Sequence, residues 1–236
     1  MTAAANTANV ITATATAAVH RVPLTRHPAM GVSSDILAEI HRDEVDIAVW
    51  QRVPDPALND VVGRFIASQP FFQQAVHVTP GSAAASLEVL LRVKETDNNH
   101  LLRDDIAALV DRFCGLFGCY RAALRLSVLD YAMCPKFHVD HVPCRLVTTY
   151  LGVGTEWLPH AVVDRSKLGA GSGGKPDHQS GLYHSGSDIQ RLQDGHVALL
   201  KGKAWAGNER AGLVHRSPTP DSGERRLLLT LDMIAN

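Results

Sequence analysis

The chain has 236 residues, 45 % of them apolar and 20 % charged, which is ordinary composition for a folded domain long enough to bury a sizeable core. Lys and Arg number 23 against 24 Asp and Glu, so the net charge is −1. The absence of a long basic run argues against nucleic-acid binding driven by charge and against an anionic membrane surface. No stretch approaches the roughly 18 consecutive apolar residues of a spanning helix.

The four cysteines, Cys114, Cys119, Cys134 and Cys144, form no C-x-x-C pair and no dense framework, which argues against a zinc ribbon and a disulfide scaffold. A reduced, cytoplasmic setting fits this usage. The first 19 residues hold 13 Ala or Thr, with neither a basic n-region nor a continuous apolar h-region. Residues 1–33 are therefore expected to be an Ala/Thr-rich flexible arm, with an organellar presequence as the alternative.

After the arm, Ser33 or Ser34 is placed to cap a short helix over Asp35–His41, and Val45–Arg52 reads as a strand closed by Pro54 and Pro56. Leu58, Val61, Val62, Phe65 and Ile66 recur at helical spacing within Asp55–Ser68. Leu87–Val93 reads as a strand. Leu101, Leu102, Ile106, Leu109, Val110 and Phe113 then share one face of a longer amphipathic helix. Residues 34–120 are thus predicted to be a helical and mixed flank.

From Arg121 the character changes to short β-branched or leucine-rich runs separated by turn residues. Ala122–Leu129, Lys136–Asp140, Arg145–Leu151, Thr155–Leu158, His196–Lys201, Gly212–Ser217 and Arg225–Met233 are each strand-length, and seven such runs predict a barrel or sandwich. The polar, Gly-rich stretch 164–187 reads as a structureless mobile lid. Residues 34–236 are expected to form one structural domain, with 121–236 as its barrel core.

Among 12 histidines and 17 aspartates, random placement yields roughly 0.9 His-x-Asp triplets, and the chain has two. His41-Arg42-Asp43 adjoins a helical stretch with no matching downstream partner. His138-Val139-Asp140 lies in a strand pattern, where residues i and i+2 share a face and can aim an imidazole and a carboxylate at one metal. A third ligand candidate, His215, sits in Leu213-Val214-His215-Arg216-Ser217, and Arg225 and Arg226 follow at the start of the last run. The competing reading makes one or more of these histidines structural, and makes Ser217 a turn residue before Pro218. Two imidazoles and one carboxylate fill three coordination positions and leave three open, an arrangement suited to non-haem Fe(II). Zn(II) accepts the same donors.

His-x-Asp, a distant His and an Arg opening the final strand resemble the iron(II)/2-oxoglutarate-dependent oxygenases. His215-x-Ser217 with Arg226 eleven residues on is most similar to the phytanoyl-CoA-hydroxylase-like branch. The longer segments Cys134–His141, Leu146–Leu158 and Leu213–Pro218 also look like an uncharacterised bacterial domain-of-unknown-function family over roughly Val45 to the C-terminus. The oxygenase resemblance implies an α+β fold: a double-stranded β-helix, a jelly-roll or cupin-like barrel, flanked by N-terminal helices. It further implies Fe(II) on His138, Asp140 and His215, with 2-oxoglutarate chelated through its keto-acid end. Ser217 and Arg226 would hold the far carboxylate.

Strand alternation lets only one of Arg225 and Arg226 face inward, and Arg226 is preferred. It would then bring Leu228 and Thr230 inside and place Leu227, Leu229 and Leu231 under the helices. One of Thr149 and Tyr150 faces inward in the same way and is a candidate cosubstrate contact, with Thr149 taken as that residue and core packing as the competing role for each. Glu156 and Trp157 are candidates to close one side of the pocket; Lys201 and Lys203 read as solvated. The expected function is an oxygenase acting on a small molecule or another, undefined substrate. The alternatives are a non-catalytic zinc-binding or metal-homeostasis protein on the same barrel, and a metal-free binding module.

Overall fold

The computed structural model describes residues 25–92 and 98–234, so residues 1–24 of the predicted arm lie outside the described residues. The fold is mixed α/β. In chain order come β1 (His27–Gly31), a 3-10 segment (Ser34–His41), β2 (Val45–Trp50), α1 (Pro56–Ser68), β3 (Gln73–Val78), α2 (Ala83–Leu90) and α3 (His100–Phe117). The second half holds β4 (Ala122–Leu129), β5 (Cys144–Leu151), β6 (Glu156–Leu158), α4 (Asp177–Ser180), β7 (Gln190–Arg191), β8 (Val197–Lys201), β9 (Val214–Arg216) and β10 (Arg226–Met233).

Seven strands form one sheet in the order β1-β2-β8-β5-β10-β4-β3, and a second sheet has the order β7-β6-β9. Its pairing is extended by a bridge between His138 and His215. From β4 onward the chain passes repeatedly between the two sheets: β4, the His138 bridge, β5, β6 and β7, β8, β9, β10. Among the described residues only β1 and β2 pair in parallel.

Period-two alternation sorts the side chains into layers. Leu227, Leu229 and Leu231 of β10 and Leu146 and Tyr150 of β5 face the helices, where they pack with Val62, Phe65, Ile106 and Phe113. The opposite faces of the same strands contribute Val147 and Leu228, which meet Trp157 and Leu213 between the sheets. Beyond the small sheet, Phe137, Leu158 and Val214 pack under Leu182, with Leu168 and Tyr183 alongside.

Several elements differ from the sequence expectations. Leu87–Val93 is not a strand: Leu87–Leu90 completes α2, because Leu87, Leu90 and Leu91 also fit a helical period after Ala83, Ala84 and Ala85. Val93 lies outside the described residues. Lys136–Asp140 makes a single bridge rather than a strand, lying between Pro135 and Pro143, which lack the N–H a ladder needs. His27–Gly31, assigned to the arm, is the edge strand β1, and the polar β3 forms the other edge. The stretch 164–187 is not structureless. It carries short helical turns, buries Leu182, and anchors itself through Asp177, whose carboxylate accepts the Phe137 N–H at 2.9 Å.

Candidate metal centre

Alternation around the bridge carries the site. Phe137 and Val214 turn outward, so their neighbours His138 and His215 turn into the space between the sheets. The two backbones lock reciprocally, His138 N–H to His215 C=O and His215 N–H to His138 C=O, both at 3.0 Å, and the rings lie 4.6 Å apart. Asp140 completes the group: its Oδ1 is 3.6 Å from His138 Nε2 and its Oδ2 is 3.4 Å from His215 Nε2. One donor atom from each residue fits within 4.8 Å of the others.

The outer nitrogens are spoken for. His138 Nδ1 bonds the Lys136 carbonyl at 3.0 Å and His215 Nδ1 bonds the Leu213 carbonyl at 3.3 Å. A carbonyl only accepts, so each Nδ1 carries the proton, and in the neutral imidazole Nε2 then presents a lone pair. Two such lone pairs converge with a carboxylate. That cluster of acceptors is repulsive unless a proton or a metal cation sits among them, and outer hydrogen bonds of this kind are the usual means of orienting metal-binding histidines.

Charge reinforces the arrangement. Burial pushes the Asp140 carboxyl up, but whenever the facing Nε2 atoms of His138 and His215 carry protons, their hydrogen bonds and the charge of Arg145 outweigh it and hold the group far below the usual carboxylate range. The hydrogen bond to Asp140 raises His138, against the opposing effect of burial. Arg145, whose side chain starts on β5, donates Nη1–H to Asp140 Oδ2 at 2.8 Å and grips both oxygens of Asp232, each at 2.8 Å. It therefore holds Asp140 in place while lining the same cavity as His138 and His215, a role that the strand pattern around Arg145 did not reveal.

Arg226 shares a cavity of about 100 Å³ with His138, His215 and Ser217. A single water needs only about 10–15 Å³ of such space, so the cavity suits a ligand of several heavy atoms. The Arg226 guanidinium donates to Val153 C=O at 3.0 Å and to Ser217 Oγ at 2.7 Å, and its Nε–H has no partner. The residue is 1 % exposed, has no anionic partner among the described residues, and burial lowers its pKa to about 10. Buried charges are ordinarily paired, so this cation is incomplete as it stands. Gly152 permits its position: with φ at +95°, any side chain there would place its Cβ 2.8 Å from Arg226 Cβ.

The other candidates fall elsewhere. Arg225 turns away from the cavity, 3.7 Å from Asp130. Thr149 is buried on the inward face of β5, but outside the cavity lining, with its hydroxyl unpartnered. Tyr150 points to the helices, where its hydroxyl donates to Asp105 at 2.5 Å. Trp157 faces the space between the sheets. Glu156 faces out and accepts from Arg191 and Arg216. His141 is exposed, and the His41 ring packs near Phe117 and Trp205. Lys201, read as solvated, is buried with its ammonium donating to the Arg42 carbonyl at 2.9 Å.

A family model described as a protein of unknown function, DUF1826, matches residues 31–232. The chain belongs to the DUF1826 family. No curated protein matches it. Among solved structures, this DUF1826 chain is similar to a rice dioxygenase for auxin oxidation, at 14 % identity and TM-score 0.48, over 84 % of this chain and 77 % of that one. It is also similar to the Arabidopsis thaliana dioxygenase for auxin oxidation 1 in a complex with 2-oxoglutarate, at 8 % identity and TM-score 0.49, over 90 % and 93 % of the two chains. A Pseudomonas putida prolyl-4-hydroxylase aligns at 9 % identity and TM-score 0.43, over 85 % and 97 %. Among the described residues, no helix is long and apolar enough to cross a membrane.

Proposed function

We propose that the chain is an iron(II)/2-oxoglutarate-dependent oxygenase of the hydroxylase type, built on a double-stranded β-helix. The passage of the chain back and forth between the two sheets from β4 to β10 supports the barrel reading. In it, His138, Asp140 and His215 hold the metal as a facial set of two imidazoles and one carboxylate. The observation that carries the functional reading is Arg226, a buried guanidinium without an anionic partner in the same cavity as that set.

A metal-binding protein with no cosubstrate has no use for a dry, uncompensated guanidinium beside its ligands. A dicarboxylate does use it: one end meets the metal face and the other takes a bidentate hydrogen bond that Arg forms and Lys does not. Ser217 holds one Arg226 Nη and Val153 C=O the other, which fixes the plane of the fork. When bound, iron(II) with 2-oxoglutarate and dioxygen supplies an oxidant for a substrate C–H bond, releasing succinate and carbon dioxide. The work of the chain is orientation and the exclusion of water. Arg145 keeps Asp140 ionised and aimed, the main-chain carbonyls fix both imidazole tautomers, and Leu228 and Val147 dry the cavity.

Zinc on the same three ligands is the competing reading. Metal analysis of anaerobically purified protein, with succinate release from 2-oxoglutarate, decides between them. Iron with succinate formation is expected. Bound zinc with no 2-oxoglutarate turnover after iron reconstitution would leave a metal-binding protein.

A further inference from the structure

The metal group has two faces, and only one meets the Arg226 cavity. His215 is nearly covered, with its side chain 8 % exposed, whereas the His138 side chain is 34 % exposed. On that open side lies a second, larger cleft of about 670 Å³, which shares His138 with the first. Any molecule that reaches the metal from solvent by this route passes along its walls.

Three cations line those walls: Arg165, Lys203 and Arg210. Lys203 is tethered to the metal group, since its N–H donates to the Asp140 carbonyl at 3.0 Å. Arg165 is anchored on the approach to β9. Its Nη1 donates to Gly212 C=O at 2.9 Å and its Nη2 lies 3.1 Å from His160 Nδ1, both neutral partners, while its Nε–H is buried and unpartnered. Among the described residues no carboxylate lies within ion-pair distance of Arg165, Lys203 or Arg210. One acid, Glu209, shares the cleft. Behind the wall the Asp46 carboxyl and Arg26 act on the charge of Arg165, so the positive face of the cleft is set by Lys203 and Arg210 against Glu209, in a chain whose net charge is −1.

The rest of the lining is apolar or small. Val139 and Leu168 offer hydrocarbon, and Gly212 lies so close to Val139 that a Cβ would sit 2.4 Å from Cγ1. A cleft with unpaired cations at a metal group and hydrocarbon beside them fits a molecule with an anionic end and an apolar body.

We propose that this cleft binds the primary substrate, and that the substrate is a small organic acid whose anionic group is held by Lys203 and Arg210 with Arg165 behind them, while its apolar part lies over Val139 and Leu168 beside His138. As a substrate assignment the proposal rests on the oxygenase reading; as an anion-binding cleft it stands on the lining alone. Carboxylate and phosphate share the recognising chemistry. Steering by such a patch also raises the encounter rate of an anionic ligand, and salt weakens that effect.

The test uses the full chain loaded with Co(II), with hexanoate, hexyl phosphate, hexanol and hexylammonium as probes and excess 2-oxoglutarate present. Saturation-transfer NMR reads binding without needing the metal, and paramagnetic broadening of the probe protons reads proximity to it. Hexanoate or hexyl phosphate is expected to bind saturably, at least tenfold more tightly than hexanol, with broadened resonances, and the stronger of the two identifies the acid group. Lys203→Glu with Arg210→Glu should weaken that binding at least tenfold, and Lys203→Gln with Arg210→Gln by an intermediate factor. Equal affinity for hexanol and both anions, or unchanged hexanoate binding in a folded charge-reversed variant, would overturn the assignment. Should the variants fail to fold, the wild-type preference for anions over hexanol and hexylammonium decides the matter alone. Selective anion binding in protein that does not bind 2-oxoglutarate would keep the anion cleft and remove the oxygenase reading.

Discussion

Under the proposed oxygenase reading, Arg226→Ala separates the cosubstrate contact from the metal contact, because the guanidinium faces the cavity without a hydrogen bond to His138, Asp140 or His215. In the wild type it offers Nη groups held by Val153 C=O and Ser217 Oγ, and it is 1 % exposed. Truncation leaves a ligand carboxylate desolvated and unpaired. For a buried, hydrogen-bonded charge pair that costs about 2–5 kcal/mol, or roughly a 30- to 4,000-fold loss in affinity. Calorimetric titration of 2-oxoglutarate into Co(II)-loaded protein under argon measures it, and Co(II) affinity should change by less than about threefold. Arg225→Ala is the matched control. Its guanidinium is partly exposed and 3.7 Å from a half-exposed Asp130, an ion pair worth about 0–1 kcal/mol. Equal losses in the two variants, or wild-type 2-oxoglutarate affinity in a folded Arg226→Ala, would refute the clamp.

Alanine at His138, Asp140 or His215 should each lower Co(II) affinity by more than about 100-fold, since even residues that only orient metal ligands are worth about 10–100-fold, whereas His41→Ala and His141→Ala should leave it near wild type by absorbance titration. Arg145→Ala frees the Asp140 carboxylate and strands Asp232; a 10- to 100-fold loss of Co(II) affinity is expected, partly recovered by Arg145→Lys. Glu156→Gln removes the negative charge and one of the two oxygens that accept from Arg191 and Arg216. Burial opposes ionisation of Glu156 but those two partners win and lower its pKa, so its stabilisation is present above the ordinary carboxylate range and disappears as pH falls through the lowered value. The variant should lose about 2 kcal/mol at pH 7, roughly 4–8 °C in Tm by calorimetry, and match wild type at low pH. Asp46 has the opposite sign: burial raises its carboxyl despite the charges of Arg165, Arg26 and Lys201, so the folded state loses stability as pH rises through that value. Asp46→Asn should therefore raise Tm at pH 7 and lose its advantage in acid.

The layered second half was legible because its runs alternate. Leu227, Leu229 and Leu231 under the helices, with Arg226, Leu228 and Thr230 on the other face, follow from a period of two once one residue is set inward. The edges were not legible. Gln73–Val78 is mostly exposed and lacks an apolar alternation, and His27–Gly31 contains Pro28, tolerated because an edge strand needs only half its hydrogen bonds. The three converging side chains were found by pairing His-x-Asp with a downstream His, a signal of type and spacing. Arg145 and Lys203 carried no such signal, since their proximity to Asp140 depends on how β5 and the turn after β8 are placed in space. The segment 164–187 misled for a related reason: its few apolar residues, Leu168, Leu182 and Tyr183, are sparse in sequence yet gather on Phe137 and Val214.

The central claim is that the three-ligand group and Arg226 act together on one bound molecule. Anaerobic addition of 2-oxoglutarate to the Fe(II)-loaded wild-type chain tests this most directly, because chelation of the metal by a 2-keto acid produces a visible charge-transfer absorption. A saturable band at one equivalent per chain is expected, absent from His215→Ala and shifted to far higher 2-oxoglutarate concentration in Arg226→Ala. No band at millimolar 2-oxoglutarate, in protein shown to hold Fe(II) at His138, Asp140 and His215, would contradict it.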